Sequence, residues 1–187
     1  MKKNVFIYLL ISVMFTSVFT SCDKDDPEVP NEEELITTLV FTLTPSAGGT
    51  TVEFKFQDLD GDGGNDPVIT NGTLAANTTY TGAITLTNEQ EDPAEDITEE
   101  VKEEALEHQF FFQTTVSGLS VSYNDKDSEG NPIGLSTNVT TTDTGTGTLT
   151  ITLRHQPDKS ATNVSSGDIT NAGGETDISV TFDVLVE

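Results

Sequence analysis

Four aspartates fall within nine residues in the run Asp58-Leu59-Asp60-Gly61-Asp62-Gly63-Gly64-Asn65-Asp66. They hold the first, third, fifth and ninth positions, and glycine holds the sixth. Ca²⁺ takes six to eight oxygens at about 2.3 to 2.6 Å, and alternate carboxylates converge on one ion only where the chain curls sharply. Gly63 permits that curl because it adopts positive φ without steric cost. The chemistry implied by Asp58, Asp60, Asp62 and Asp66 is therefore the binding of a hard cation, with calcium as the expected cofactor. Asp, Asn and Gly are also the natural residues of turns, so a solvated hairpin tip competes with the calcium reading.

The order of residues resembles the first nine positions of EF-hand and thrombospondin-type calcium loops. It departs from the EF-hand at the twelfth position, where Ile69 stands in place of the bidentate Glu, so a further ligand would come from another loop or from water. A second acidic loop, Asp125-Lys126-Asp127-Ser128-Glu129-Gly130, offers Asp125, Asp127 and Glu129 as oxygen ligands. Lys126 lies between two acids there and favours a plain turn. His108 and His155 are the only histidines, and with local carboxylates they define a possible transition-metal site. The spacing alone does not bring the two together, and a histidine ending an acidic helix also suits the helix dipole.

Catalysis finds little support. Ser, His and Asp occur without nucleophile-elbow spacing, and no glycine-rich loop opens a helix to cradle phosphate. The many carboxylates could supply a glycosidase-type pair, so a hydrolase is the rival reading, but in so acidic a chain neighbouring carboxylates arise by chance. The formal net charge is −24, from 8 basic and 32 acidic residues. Such a surface repels nucleic acid and anionic lipid and attracts cations, which excludes a nucleic-acid partner.

Ahead of these residues the chain carries a targeting segment. Lys2 and Lys3 are followed by the apolar run Val5 to Val18, too short and interrupted to span a bilayer comfortably, which takes about 20 apolar residues. The segment ends Phe19-Thr20-Ser21-Cys22 and resembles the bacterial lipobox, with Phe19 where Leu is usual. The resemblance implies cleavage after residue 21 and a covalent lipid on Cys22. Cys22 is the only cysteine, so no intramolecular disulfide is possible. Lys24, Asp25 and Asp26 resemble the signal that exports Bacteroidetes-type lipoproteins to the outer face of the outer membrane. Removing residues 1–21 takes two of the eight basic residues and none of the acids, which moves the formal charge from −24 to −26. Residues 22–34 hold two prolines and seven acids and read as a lipidated acidic tether.

Residues 35–187 must position the candidate ligands. Leu39, Phe41 and Leu43 alternate with polar positions, as do Val52, Phe54 and Phe56. The same period-two pattern marks Tyr80, Ile84 and Leu86; Leu119, Val121 and Tyr123; Leu149, Ile151 and Leu153; and Ile178 to Val186. Turn signals such as Ala47-Gly48-Gly49, Asn71-Gly72 and Gly145-Thr146-Gly147 separate them. Seven or more short strands predict a mostly β domain, an antiparallel β-sandwich of immunoglobulin-like architecture, with a barrel as the alternative. One segment breaks the alternation. Residues 92–109 are rich in helix formers, Asp96 and Glu99 have capping-box spacing, and Ile97, Val101 and Ala105 form an apolar stripe, so one short helix is expected.

Taken together, the leader, NEEELITTLVFTLTP, QDLDGDGGNDPVIT, EDITEEVKEEALEHQFFFQ, LRHQPDK and DISVTFDV resemble a family of small Bacteroidetes surface lipoproteins. Some of its members are labelled "type 1 periplasmic binding fold superfamily protein". That label implies a two-lobed α/β fold, which needs repeated strand–helix units, whereas this chain offers one helix. The resemblance implies an accessory of a TonB-dependent outer-membrane receptor; with the leader, the acidic loop and the missing catalytic motifs, the expectation is a surface-exposed, lipid-anchored, non-catalytic binding or accessory module stabilised by calcium. A variant of that expectation is metal capture for the receptor, which requires His108 and His155 to share a coordination sphere.

Overall fold

Alternating side chains build two sheets that face each other across one apolar core. The structure is a computed structural model and describes residues 35–61 and 63–187. The expected signal peptide, Cys22, Lys24, Asp25, Asp26, the tether and Asp62 lie outside the described residues. In chain order the elements are β1 (Thr38–Pro45), β2 (Val52–Gln57), β3 (Val68–Thr70), β4 (Gly72–Leu74), β5 (Thr79–Asn88), β6 (Glu95–Asp96) and α1 (Ile97–Glu103). They continue with β7 (His108–Thr114), β8 (Leu119–Tyr123), β9 (Ser136–Thr141), β10 (Gly145–His155) and β11 (Glu175–Val186). The larger sheet runs β3-β2-β1-β5-β9-β8 with β6 attached to β5, and the smaller runs β4-β11-β10-β7. This is the mostly β, antiparallel sandwich that the alternation predicts.

Most inward residues are buried, while Val52, Phe56, Val121 and Tyr123 are half-buried. Leu39, Phe41, Leu43, Phe54, Tyr80 and Leu86 of the larger sheet meet Phe110, Leu149, Ile151, Leu153, Phe182 and Val184 of the smaller. Aromatic rings bridge the layers: Phe41 stands 5.7 Å from Phe112 and Phe54 stands 5.6 Å from Phe182, centroid to centroid. Both separations lie in the preferred range for tilted ring pairs.

The expected Asn71-Gly72 turn is instead a crossing between the sheets. β3 pairs antiparallel with β2 in the larger sheet, while β4 pairs parallel with β11 in the smaller. Gly72 makes the crossing possible, because a Cβ there would lie 2.5 Å from Val52 Cγ1 and 2.9 Å from Phe54 Cζ. Asn71 Oδ1 accepts a hydrogen bond from Asp183 N at 2.9 Å and ties the crossing to β11.

The helical segment is shorter than expected. Only Ile97–Glu103 is helical, and its stripe is kept: Ile97 and Val101 are buried and Ala105 packs against the core. Asp96 caps the helix by accepting from Thr98 N at 3.0 Å, whereas Glu99 pairs with Lys102 at 3.1 Å instead of closing a capping box. Glu103, Glu104 and Glu107 crowd the C-terminal end, where the dipole disfavours negative charge. His108 therefore opens β7 and does not end a helix. Among the described residues no helix is long and apolar enough to cross a membrane.

Candidate metal centre

The core stripes of β7, at the edge of the smaller sheet, and of its neighbour β10 each end in a histidine. On β7, Phe112 and Phe110 are followed toward the strand start by His108; on β10, Leu149, Ile151 and Leu153 are followed toward the strand end by His155. The antiparallel register then places His155 directly opposite His108. Their ring centroids are 4.5 Å apart, and both residues are buried. The two candidate nitrogen ligands that the spacing left apart are thus neighbours at one end of the core.

Carboxylates gather around the pair. Glu104, the C-cap of α1, joins the histidines in a set whose ligand atoms all lie within 4.8 Å of one another. Asp177 Oδ2 is 3.8 Å from His108 Nε2, and Asp177 Oδ1 is 3.8 Å from His155 Nδ1. Glu107 Oε2 lies 3.7 Å from His155 Nε2 and also accepts from Gln156 Nε2 at 3.0 Å. His108 Nδ1 lies 3.2 Å from the Glu104 carbonyl oxygen, which fixes that ring against the end of the helix. A tetrahedral ion with bonds of about 2.0 to 2.2 Å has ligand–ligand edges of roughly 3.3 to 3.6 Å. Small side-chain shifts would bring one oxygen of Glu104 and one nitrogen of each histidine onto one ion, and imidazole with carboxylate suits zinc and its neighbours. Among the described residues this is the one group of three or more His and acidic side chains close enough to hold a metal.

Sequence reasoning missed Glu104, Glu107 and Asp177. The four-residue interval from Glu104 to His108 was a usable signal, since helical neighbours at that spacing share a face. Asp177 carried none, because by the alternation of β11 it belongs on the outer face.

The acidic loops use their carboxylates differently. Asp58 Oδ1 accepts from Gly61 N at 2.8 Å and Asp60 N at 3.3 Å, while Asp60 Oδ2 accepts from Asn65 Nδ2 at 2.6 Å and Asn65 N at 3.1 Å. These Asn65 donors hold the Asp60 carboxyl below its usual range. Gly63 has φ +89°, the curl its position requires, and Asp66 is exposed nearby. In the second loop Asp125 accepts from Gly134 N and Ser136 N, both at 2.8 Å. Asp127 Oδ1 accepts from Glu129 N and Asn131 N, and its Oδ2 accepts from Lys159 Nζ at 2.9 Å. Both aspartates of that loop are thus committed to protein donors, and Glu129 is its exposed carboxylate.

Open grooves lie between Lys102, Ala105, Leu106 and the 125–136 loop, along Asn71–Thr73 and Thr146–Thr148, beside Phe112, Tyr123 and Gly167, and at Asp58, Asp60 and Asp66. None brings a histidine and a carboxylate together. No family model, no curated protein and no solved structure matches the chain.

Proposed function

We propose that the chain is a non-catalytic binding module that captures a divalent transition-metal ion, with Glu104, His108 and His155 as its ligands. The observation that carries the reading is the cross-strand pairing of the two histidines, both buried, with the Glu104 carboxylate within 4.8 Å. A pair of imidazoles surrounded by Glu104, Glu107 and Asp177 is an electronegative pocket with nitrogen donors, and such a pocket favours zinc-like ions over calcium or magnesium. The resemblance to surface lipoproteins adds the setting: a lipid on Cys22, the outer face of the outer membrane, and a TonB-dependent receptor as the partner that receives the ion.

The curled loop at Asp58–Asp66 supports a second, structural ion. Gly63 at φ +89° turns the chain where a calcium loop needs it, so calcium at Asp58, Asp60, Asp62 and Asp66 would stiffen the edge beside β3.

The test of the main reading is thermal melting with zinc, calcium or magnesium. An ion at a hundred times its dissociation constant adds about 2.7 kcal/mol, or roughly 5 to 11 °C at this chain size. Zinc should give that shift in the wild type and lose it in His155→Ala. A zinc shift that survives in His155→Ala would overturn the assignment.

A further inference from the structure

We propose that the groove between the end of α1 and the 125–136 loop binds an uncharged, largely apolar small molecule, independently of the metal-binding reading above. Two chain segments supply its lining. The turn that follows α1 packs Ala105 against the core and leaves Leu106 half exposed at the mouth. The facing loop brings Ile133, which is buried, and Leu135, which packs against the core. These four aliphatic side chains line a cavity of about 580 Å³, inside the roughly 300 to 1,000 Å³ of small-molecule sites. The other grooves differ. Threonines flank the one along Thr146–Thr148, three carboxylates crowd the one at Asp58, Asp60 and Asp66, and the one beside Phe112 encloses only about 50 Å³.

The walls are fixed by the protein itself. Lys159 is buried behind the lining. Its Nζ donates to the Ala105 carbonyl on one wall at 2.6 Å, and to Asp127 Oδ2 at 2.9 Å and the Pro132 carbonyl at 3.3 Å on the other. Asp125 accepts from Gly134 N and Ser136 N, which closes the loop on itself. Walls ordered in this way spare a ligand the cost of ordering them. Charge then selects the ligand class. Around the groove Lys102, Lys126 and Lys159 balance Glu103, Asp125 and Asp127, whereas the chain as a whole carries −24. That wider field repels an anion, and Lys102 is already paired with Glu99. A cation finds Asp125 and Asp127 taken by amides and an ammonium, with Glu103 left only at the exposed rim. An uncharged apolar body meets neither obstacle, and it is held by removing Leu106 and its aliphatic neighbours from water.

The experiment is a fluorescence titration with N-phenyl-1-naphthylamine, an uncharged apolar probe, and with its sulfonated, anionic analogue 8-anilino-1-naphthalenesulfonate. It uses residues 22–187 carrying Cys22→Ser, a stretch that holds every element of the sandwich, in the presence of a metal chelator. The uncharged probe should saturate at one per chain, and the anionic one should bind at least about tenfold more weakly. Leu106→Asp, a change at a half-exposed position, should weaken the uncharged probe by at least about tenfold. Leu185→Asp, which alters an exposed leucine of β11, should leave it unchanged. Nuclear Overhauser effects from the bound probe to the Ile133 and Leu135 methyl groups place it without any variant, and so keep the test standing where Leu106→Asp fails to fold. Absence of saturable binding, equal binding of the anionic probe, indifference to Leu106→Asp, equal loss in Leu185→Asp, or Overhauser effects to other methyl groups instead would each overturn the assignment.

Discussion

Lys159→Met should be among the most damaging single changes in the domain. Lys159 Nζ donates to Asp127 Oδ2 at 2.9 Å, to the Ala105 carbonyl at 2.6 Å and to the Pro132 carbonyl at 3.3 Å. The Lys159 and Asp127 side chains are 6% and 0% exposed, so the ion pair is buried. It ties the segment after β10 to the end of α1 and to the 125–136 loop. Methionine keeps the stem but leaves a carboxylate and two carbonyls without their ammonium. Removing one partner of a buried pair costs about 3 to 5 kcal/mol, which is roughly 6 to 20 °C in melting temperature for a chain of this length. Urea unfolding should show a lower midpoint with an unchanged slope. The double variant Lys159→Met with Asp127→Leu should recover part of the loss, because no buried charge is left alone. The pH dependence has a fixed sign. Burial raises the Asp127 carboxyl, but the Lys159 ammonium and the Asn131 and Glu129 amides outweigh it and hold the group below its ordinary value. A depressed carboxyl contributes stability that is complete above its unfolded pKa of about 3.9 and is lost as pH falls through the lower folded value. The variant's deficit should therefore shrink below about pH 4. A deficit under about 1 kcal/mol at pH 7 would refute the buried pair.

Three further outcomes follow from particular contacts and motifs. Gly72→Ala drives a methyl into Val52 and Phe54 and should cost about 1 to 3 kcal/mol, read by the urea midpoint; an unchanged midpoint would mean the sheet crossing is looser than described. Millimolar calcium should raise the melting temperature by several degrees if Asp58, Asp60, Asp62 and Asp66 hold it, and Asp60→Ala with Asp62→Ala should abolish the shift; indifference of the wild type would reduce the loop to a hairpin tip. Cys22→Ser should move the protein from the membrane to the soluble fraction, and replacing Lys24, Asp25 and Asp26 by alanine should keep it membrane-bound but inaccessible to external protease; an unchanged fractionation of Cys22→Ser would remove the lipid anchor.

Strands with apolar alternation were legible in the sequence, because one buried face imposes a period of two that no turn or helix imitates. β9 was not, since two of its three inward residues are Thr137 and Thr141, and buried threonine looks like solvent-facing threonine until its hydroxyl is seen accepting and donating, as Thr141 does with Thr78 N and Ala75 O. The β3–β4 crossing was read as a turn because Asn-Gly is the strongest short hairpin signal; only the neighbouring Val52 and Phe54 reveal that the glycine serves close approach. His108 and His155 were visible as ligand types, but 47 positions of chain separate them, and the register of β7 on β10 is a tertiary fact. Asp177 was hidden for the opposite reason. The alternation of β11 is so regular that it predicted the wrong face, and the β-bulge opposite Leu153 and Arg154 that reverses it leaves no mark on residue type.

One metal site shared by His108 and His155 should be visible in solution. Isothermal titration of the metal-stripped full chain with zinc tests it most directly. Saturation is expected at one zinc per chain, with loss of that binding in both His108→Asn and His155→Asn while each variant still unfolds cooperatively. Absence of binding in the wild type, or binding that persists when either histidine is replaced, would contradict it.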